Sequence, residues 1–132
     1  MTEVFEGGCL CGRVRYRATA PPVEVGYCHC RMCQKNSGGP AMVYAMFPID
    51  AFEHLGAAPK VFASSAQGER WFCAECGSPI EFRERPEAVY ASVNVGTLDE
   101  PERLAPTRHI WCESRISWFD AGETLPRDQR DG

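Results

Sequence analysis

Seven of the eight cysteines in this chain stand in three tight clusters: Cys9-Leu10-Cys11, Cys28-His29-Cys30-Arg31-Met32-Cys33 and Cys73-Ala74-Glu75-Cys76. Two chemistries can use such clusters, disulfides and metal ligation. Disulfide frameworks belong to exported domains too small to build a core. The N-terminus, Met1-Thr2-Glu3-Val4-Phe5-Glu6-Gly7-Gly8, has neither the basic start nor the apolar run of an export signal. A chain of 132 residues is expected to form one domain, residues 1–120, with enough core to need no staples. Cysteines one residue apart also bridge poorly, because so short a loop strains the bond. The expected compartment is the cytoplasm, where thiols stay reduced and metal ligation is the better reading.

Metal ligation suits the spacing. Around a tetrahedral zinc with Zn–S near 2.3 Å, neighbouring sulfurs lie about 3.8 Å apart, a separation that a Cys-x-x-Cys turn supplies. In Cys73-Ala74-Glu75-Cys76-Gly77 the trailing glycine can take the positive φ that turns backbone N–H groups toward the thiolates, and Gly12 after Cys9-Leu10-Cys11 can do the same. The division that makes chemical sense joins Cys9, Cys11, Cys73 and Cys76 in a closed four-thiolate site. Cys28, Cys30 and Cys33 then form a three-thiolate site with a free fourth position. A closed site braces a fold; a site with a free position can take water or substrate.

The remaining sequence predicts a mainly β fold with little helix. The 12 glycines and 10 prolines exceed the usual share of about 12%, which points to many turns. Residues 13–18 alternate polar and apolar, as a half-buried strand does. Further strands are expected at 41–47, a continuous apolar run, and at 60–64, 69–72, 80–83, 89–95 and 109–111. A short helix is expected from Arg31 to Lys35, stopped by Gly38-Gly39-Pro40, and residues 121–132 read as a loose tail. The coarse expectation is an antiparallel β domain with its cysteines on loops. A net charge of −4 offers no field for nucleic acid, and no apolar run approaches the ~18 residues of a membrane span.

The motifs Gly7-Gly8-Cys9-Leu10-Cys11-Gly12-Arg13-Val14, Cys28-His29-Cys30-Arg31-Met32-Cys33-Gln34-Lys35, Phe72-Cys73-Ala74-Glu75-Cys76-Gly77, His109-Ile110-Trp111 and Trp118-Phe119 resemble the glutathione-dependent formaldehyde-activating enzyme family. The resemblance runs from about Phe5 to Phe119. It implies small antiparallel sheets in a tent-like arrangement, a structural zinc on Cys9, Cys11, Cys73 and Cys76, and a catalytic zinc on Cys28, Cys30 and Cys33. It also implies a carbon–sulfur lyase-type activity, the addition of glutathione to formaldehyde. Mycothiol-like or bacillithiol-like thiols would present the same sulfur.

A free thiol with a pKa near 8.5 is mostly protonated at neutral pH, and coordination would deprotonate it. Three thiolates on zinc leave a charge of about −1, and a fourth brings about −2, so cations should lie nearby. Arg31, Lys35 and Arg70 are the candidates for contacts to the ligand's carboxylates. His29, between two coordinating cysteines, is expected to point away from the metal. Cys112, in Ile110-Trp111-Cys112, reads as a small buried residue on a strand, and His54 as a surface residue without a chemical partner. His109 and Trp111 can line either a pocket or the core. Two other functions stand beside the enzyme. One is a zinc-braced interaction module, which would recruit Cys112 or a histidine to close its second site; the other is a redox sensor that releases metal. Exposed edges in small sheets leave a homodimer open.

Overall fold

A computed structural model of the chain describes residues 3–119 and 125–130. In chain order the elements are β1 (Phe5–Gly8), β2 (Arg15–Ala18), β3 (Glu24–Cys28), α1 (Arg31–Ser37), β4 (Met42–Pro48), β5 (Phe52–His54), β6 (Lys60–Ser65), β7 (Gly68–Phe72), β8 (Pro79–Glu84), β9 (Tyr90–Asn94) and β10 (His109–Ile110). β1, β2 and β5 form one antiparallel sheet. The other seven strands form a second sheet in the order β10-β3-β4-β9-β8-β7-β6. Its pairs are antiparallel except β10 with β3, which run parallel. The mainly β fold with a single α-helix among the described residues is the one expected from the sequence. No helix among these residues is long and apolar enough to cross a membrane.

β4 explains why residues 41–47 read as one uninterrupted apolar run. Successive strand residues face opposite sides, so an all-apolar strand is one buried on both. Val43, Ala45 and Phe47 turn to the main core, packing with Phe5, Tyr16 and Val93. Met42, Tyr44 and Met46 turn to a second cluster that includes Cys28, Cys33 and Phe82. Phe47 joins the two sheets: its ring lies 5.6 Å from Phe5 on β1 and 6.3 Å from Phe52 on β5. The two cysteine groups divide the same way. Cys9 and Cys73 belong to the main core, and Cys28 and Cys33 to the cluster behind β4.

The structure departs from the sequence reading at several points. The alternating strand starts at Arg15 rather than Arg13, because Val14 is held in the first cysteine turn; its carbonyl accepts from Cys9 N at 3.0 Å. β1, β3 and β5 form where no strand is expected. Gly26 weakens the strand signal of β3, yet no side chain fits there, since a Cβ would lie 2.7 Å from the Tyr44 hydroxyl. The cysteines are not all on loops: Cys28 ends β3, paired with Met42, and Cys33 lies inside α1. The last strand stops at Ile110, because Trp111 adopts a left-handed conformation with φ 58°. Cys112 is therefore exposed in a short 3₁₀ turn (Cys112–Ser114), not buried on a strand. Of the expected tail, residues 121–124 and 131–132 lie outside the described residues, and 125–130 are exposed.

The two faces of β4 carry different costs. Phe47→Ala is expected to lower unfolding stability by about 3–5 kcal/mol, as loss of a core aromatic does. Met46→Ala, on the half-buried second face, is expected to cost less than half of that. Urea denaturation followed by circular dichroism checks both, and equal losses would contradict the two-faced assignment.

Candidate functional site

Two turns of similar construction build the four-thiol group. In the first, Cys9 N donates to Val14 O at 3.0 Å and Gly12 N to Cys9 O at 3.1 Å. In the second, Cys73 N donates to Ser78 O at 3.0 Å and Gly77 N to Cys73 O at 2.9 Å. Gly12 and Gly77 hold φ of 83° and 80°, the left-handed region that glycine enters without strain, as their place after each cluster predicts. These turns aim backbone N–H groups at sulfur: Val14 N at Cys9 Sγ (3.3 Å) and Cys76 N at Cys73 Sγ (3.4 Å). Leu10 N donates to Ser78 Oγ at 3.0 Å and knits one turn to the other. Cys9 Sγ lies 3.5 Å from Cys11 Sγ, which lies 3.8 Å from Cys73 Sγ. The Ser78 hydroxyl, 3.2 Å from Cys76 Sγ, pulls that thiol down to about 5.

The three-thiol group is assembled from the end of β3 and the start of α1. Cys30 is the N-cap of α1, its sulfur accepting from Cys33 N at 3.3 Å. One turn of helix then carries Cys33 back beside Cys28. Arg70, on β7, is buried at 5 % exposure; its Nη1 donates to Cys33 Sγ at 3.4 Å, and its guanidinium stacks 4.8 Å over the Phe82 ring. Hydrogen bonding with Cys28, and then the Arg70 cation, pull the Cys33 thiol down to about 5 despite burial. The same Cys28–Cys33 contact and burial push the Cys28 thiol up. The pair therefore holds one proton between two sulfurs.

The donor sets fit zinc. All four sulfurs of Cys9, Cys11, Cys73 and Cys76 lie within 4.8 Å of one another, as do the three of Cys28, Cys30 and Cys33. Such separations bracket the ~3.8 Å edge of a thiolate tetrahedron. Backbone N–H groups and Arg70 already stabilise sulfur in the charged form that a metal requires. Among the described residues, no further Cys, His, Asp or Glu joins the three-thiol group. Cys28, Cys30 and Cys33 open on a cavity of about 750 Å³ whose wall includes Met42, Tyr44, Met46, Phe82 and Trp111.

The other residues singled out in the sequence are placed as follows. His29 turns away from the thiols, fully buried, with Nε2 at 2.8 Å from His109 Nδ1. His109 stacks on Tyr27 at 4.7 Å. Arg31 lines the cavity, hydrogen-bonded to Gln34 Oε1, whereas Lys35 is exposed on α1 and does not line it. His54 is not a lone surface residue. Its Nε2 meets Glu81 Oε1 at 2.6 Å and its ring stacks on Trp71 at 5.5 Å, joining β5 to β8 and β7. Long-range pairing of this kind leaves no trace in local sequence. Gln34 is a positioning residue that sequence reasoning missed: its buried amide donates to His29 O (2.8 Å) and Ser114 O (3.1 Å), tying α1 to the turn after Trp111. A glutamine beside Cys33 on the buried side of the helix was the available signal.

A family model described as glutathione-dependent formaldehyde-activating enzyme matches residues 4–114. The chain belongs to this family. It is 29% identical over 130 residues to a Halomonas elongata protein named as a "Putative glutathione-dependent formaldehyde-activating enzyme", covering 89% of this chain and 80% of that one. It is 30% identical over 81 residues to an uncharacterized lyase of Schizosaccharomyces pombe, covering 59% of this chain and 56% of that one. A crystal structure of a Rhodobacter sphaeroides protein shares the fold with TM-score 0.60 and 18% identity, covering 79% of this chain and 98% of that one.

The coupled thiols give a pH prediction. In reduced, metal-free protein, thiolate absorbance near 240 nm should begin to rise around pH 5, with the Cys28–Cys33 proton lost far higher. Arg70→Gln removes a cation that favours the thiolate, so the Cys33 contribution to that early rise should shift to higher pH. An early rise in Arg70→Gln identical to that of the parent would contradict the assigned role of Arg70.

Proposed function

We propose that the chain catalyses the zinc-dependent addition of a thiol, glutathione or a similar low-molecular-weight thiol, to a small aldehyde such as formaldehyde. The observation that carries this reading is the three-thiol group: it opens on a cavity, and no further Cys, His, Asp or Glu joins it among the described residues. An interaction module braced by two closed sites would call on Cys112 or a histidine. Among the described residues, neither Cys112 nor a histidine is grouped with Cys28, Cys30 and Cys33.

In this reading Cys9, Cys11, Cys73 and Cys76 hold a structural zinc, and Cys28, Cys30 and Cys33 hold the catalytic one. When bound there, zinc supplies Lewis acidity that favours the thiolate form of an incoming thiol. Arg70 offsets the negative charge gathered on the cysteine sulfurs, from a buried position where a cation acts strongly. Arg31, at the cavity wall, is the cation within reach of a ligand carboxylate. Gln34 fixes the helix that carries Cys33. The sulfur electron pair forms the S–C bond, the C=O π pair moves to oxygen, and that oxygen takes a proton from water. The thiol proton leaves to solvent, so the sum is RSH plus H₂C=O giving RS–CH₂–OH.

Two measurements test this. Zinc analysis of the full chain is expected to give two ions, with Cys30→Ser losing one and remaining folded. Cys76→Ser is expected to lose one and to unfold at markedly lower denaturant. Exchange NMR of glutathione with formaldehyde should then show faster adduct formation with the parent protein and only the uncatalysed rate with Cys30→Ser. No acceleration by fully metallated, reduced protein, with either glutathione or hexanethiol as the thiol, would overturn the proposal.

A further inference from the structure

The cavity beside Cys28, Cys30 and Cys33 is chemically unlike a glutathione site. Formaldehyde is close to water in size, and a water takes about 30 Å³ of liquid. It would leave nearly all of the ~750 Å³ unfilled, so the wall must fit the body of the thiol. That wall is thioether and aromatic: Met42 and Met46 from β4, Met32 from α1, Phe82 from β8, then Ile110 and Trp111. Met residues contributed by two elements form an adaptable apolar surface. The charged groups in the lining are Glu24, Glu84, Arg31 and Arg70. Arg70 is committed to Cys33, and Arg31 to Gln34. Glu24 accepts from the Tyr44 hydroxyl at 2.5 Å and from Arg108 at 2.8 Å. Lys35, the third cation expected to help, does not line the cavity. Glutathione brings two carboxylates; against two glutamates and three cysteine sulfurs, the lining offers them Arg31, which already donates to Gln34, and the neutral side chains of Ser65, Gln67, Ser92 and Ser114.

Resting on the reading of this group as a thiol-binding metal centre, we propose that its thiol substrate carries an uncharged, apolar body. Met42, Met46 and Phe82 are then its specificity-determining residues. The sulfur sits at the three cysteines and the carbon chain runs along β4 and β8. Apolar surface leaving water favours this occupant, while an unpaired carboxylate against the same wall is penalised.

Calorimetric titration of the zinc-loaded full chain with hexanethiol and with glutathione tests the preference without depending on turnover. Hexanethiol is expected to bind at least about tenfold more tightly, a difference that calorimetry resolves readily. Met46→Lys should reverse the order. Met32→Lys, at a position 47% exposed and so safe for folding, should weaken hexanethiol binding and improve glutathione binding. Glutathione binding as tightly as hexanethiol, with adduct formation still accelerated, overturns this inference and leaves the proposed reaction standing. Faster turnover of hexanal with glutathione than of formaldehyde with hexanethiol also overturns it, since the apolar body then belongs to the carbonyl. Binding of neither thiol, with no acceleration, overturns both.

Discussion

The junction of the two cysteine turns, residues 9–14 and 73–78, holds together distant parts of the chain. Cys11 and Cys73 are 62 positions apart in sequence, and their sulfurs lie 3.8 Å from each other. Clips that close long loops restrict the unfolded chain most. The two turns carry most of their own hydrogen bonds, and Leu10 N to Ser78 Oγ joins one to the other. Cys9 and Cys73 are at the same time part of the main core, packed with Val14 and Ile80. A metal at this junction would therefore stabilise the packing of the core and the topology together.

The second cysteine group depends on the first through β4. The main core fixes Val43, Ala45 and Phe47, and the pleat then forces Met42, Tyr44 and Met46 to the opposite side. That side would be a second core if it were covered. Instead it meets Cys28 at the end of β3, Cys33 from α1 and Phe82 from β8, and leaves a cavity between them. The same physical device, an apolar strand with two buried faces, thus supplies both stability and the wall of a binding site. Arg70 supplies the remaining requirement, a buried cation beside clustered sulfurs.

Much of this was legible in the cysteine spacing, because ligand geometry acts over a few residues. The grouping of the seven cysteines, the left-handed glycines after each knuckle and the short helix from Arg31 all follow from local rules, and the helix runs only two residues further than expected before Gly38 caps it. What local rules missed came from long-range contacts. β1, β3 and β5 are weak strands by composition and exist through pairing with partners far along the chain. His54 gains its role from Glu81, and Arg70, a candidate from sequence for a ligand carboxylate, turns inward to Cys33. Cys112 moved from expected burial to exposure because of one backbone angle, at Trp111, that no residue-type preference anticipates.

On the proposed reading, Cys28, Cys30 and Cys33 hold a metal with one position left for an outside thiol. X-ray absorption at the zinc edge of the fully loaded, reduced protein measures this directly. Seven protein sulfurs shared over two ions are expected, with a lighter atom completing the shell and one further sulfur when thiol is supplied. Two ions each with four sulfurs before any thiol is added, or a shell that does not change on its addition, would contradict it.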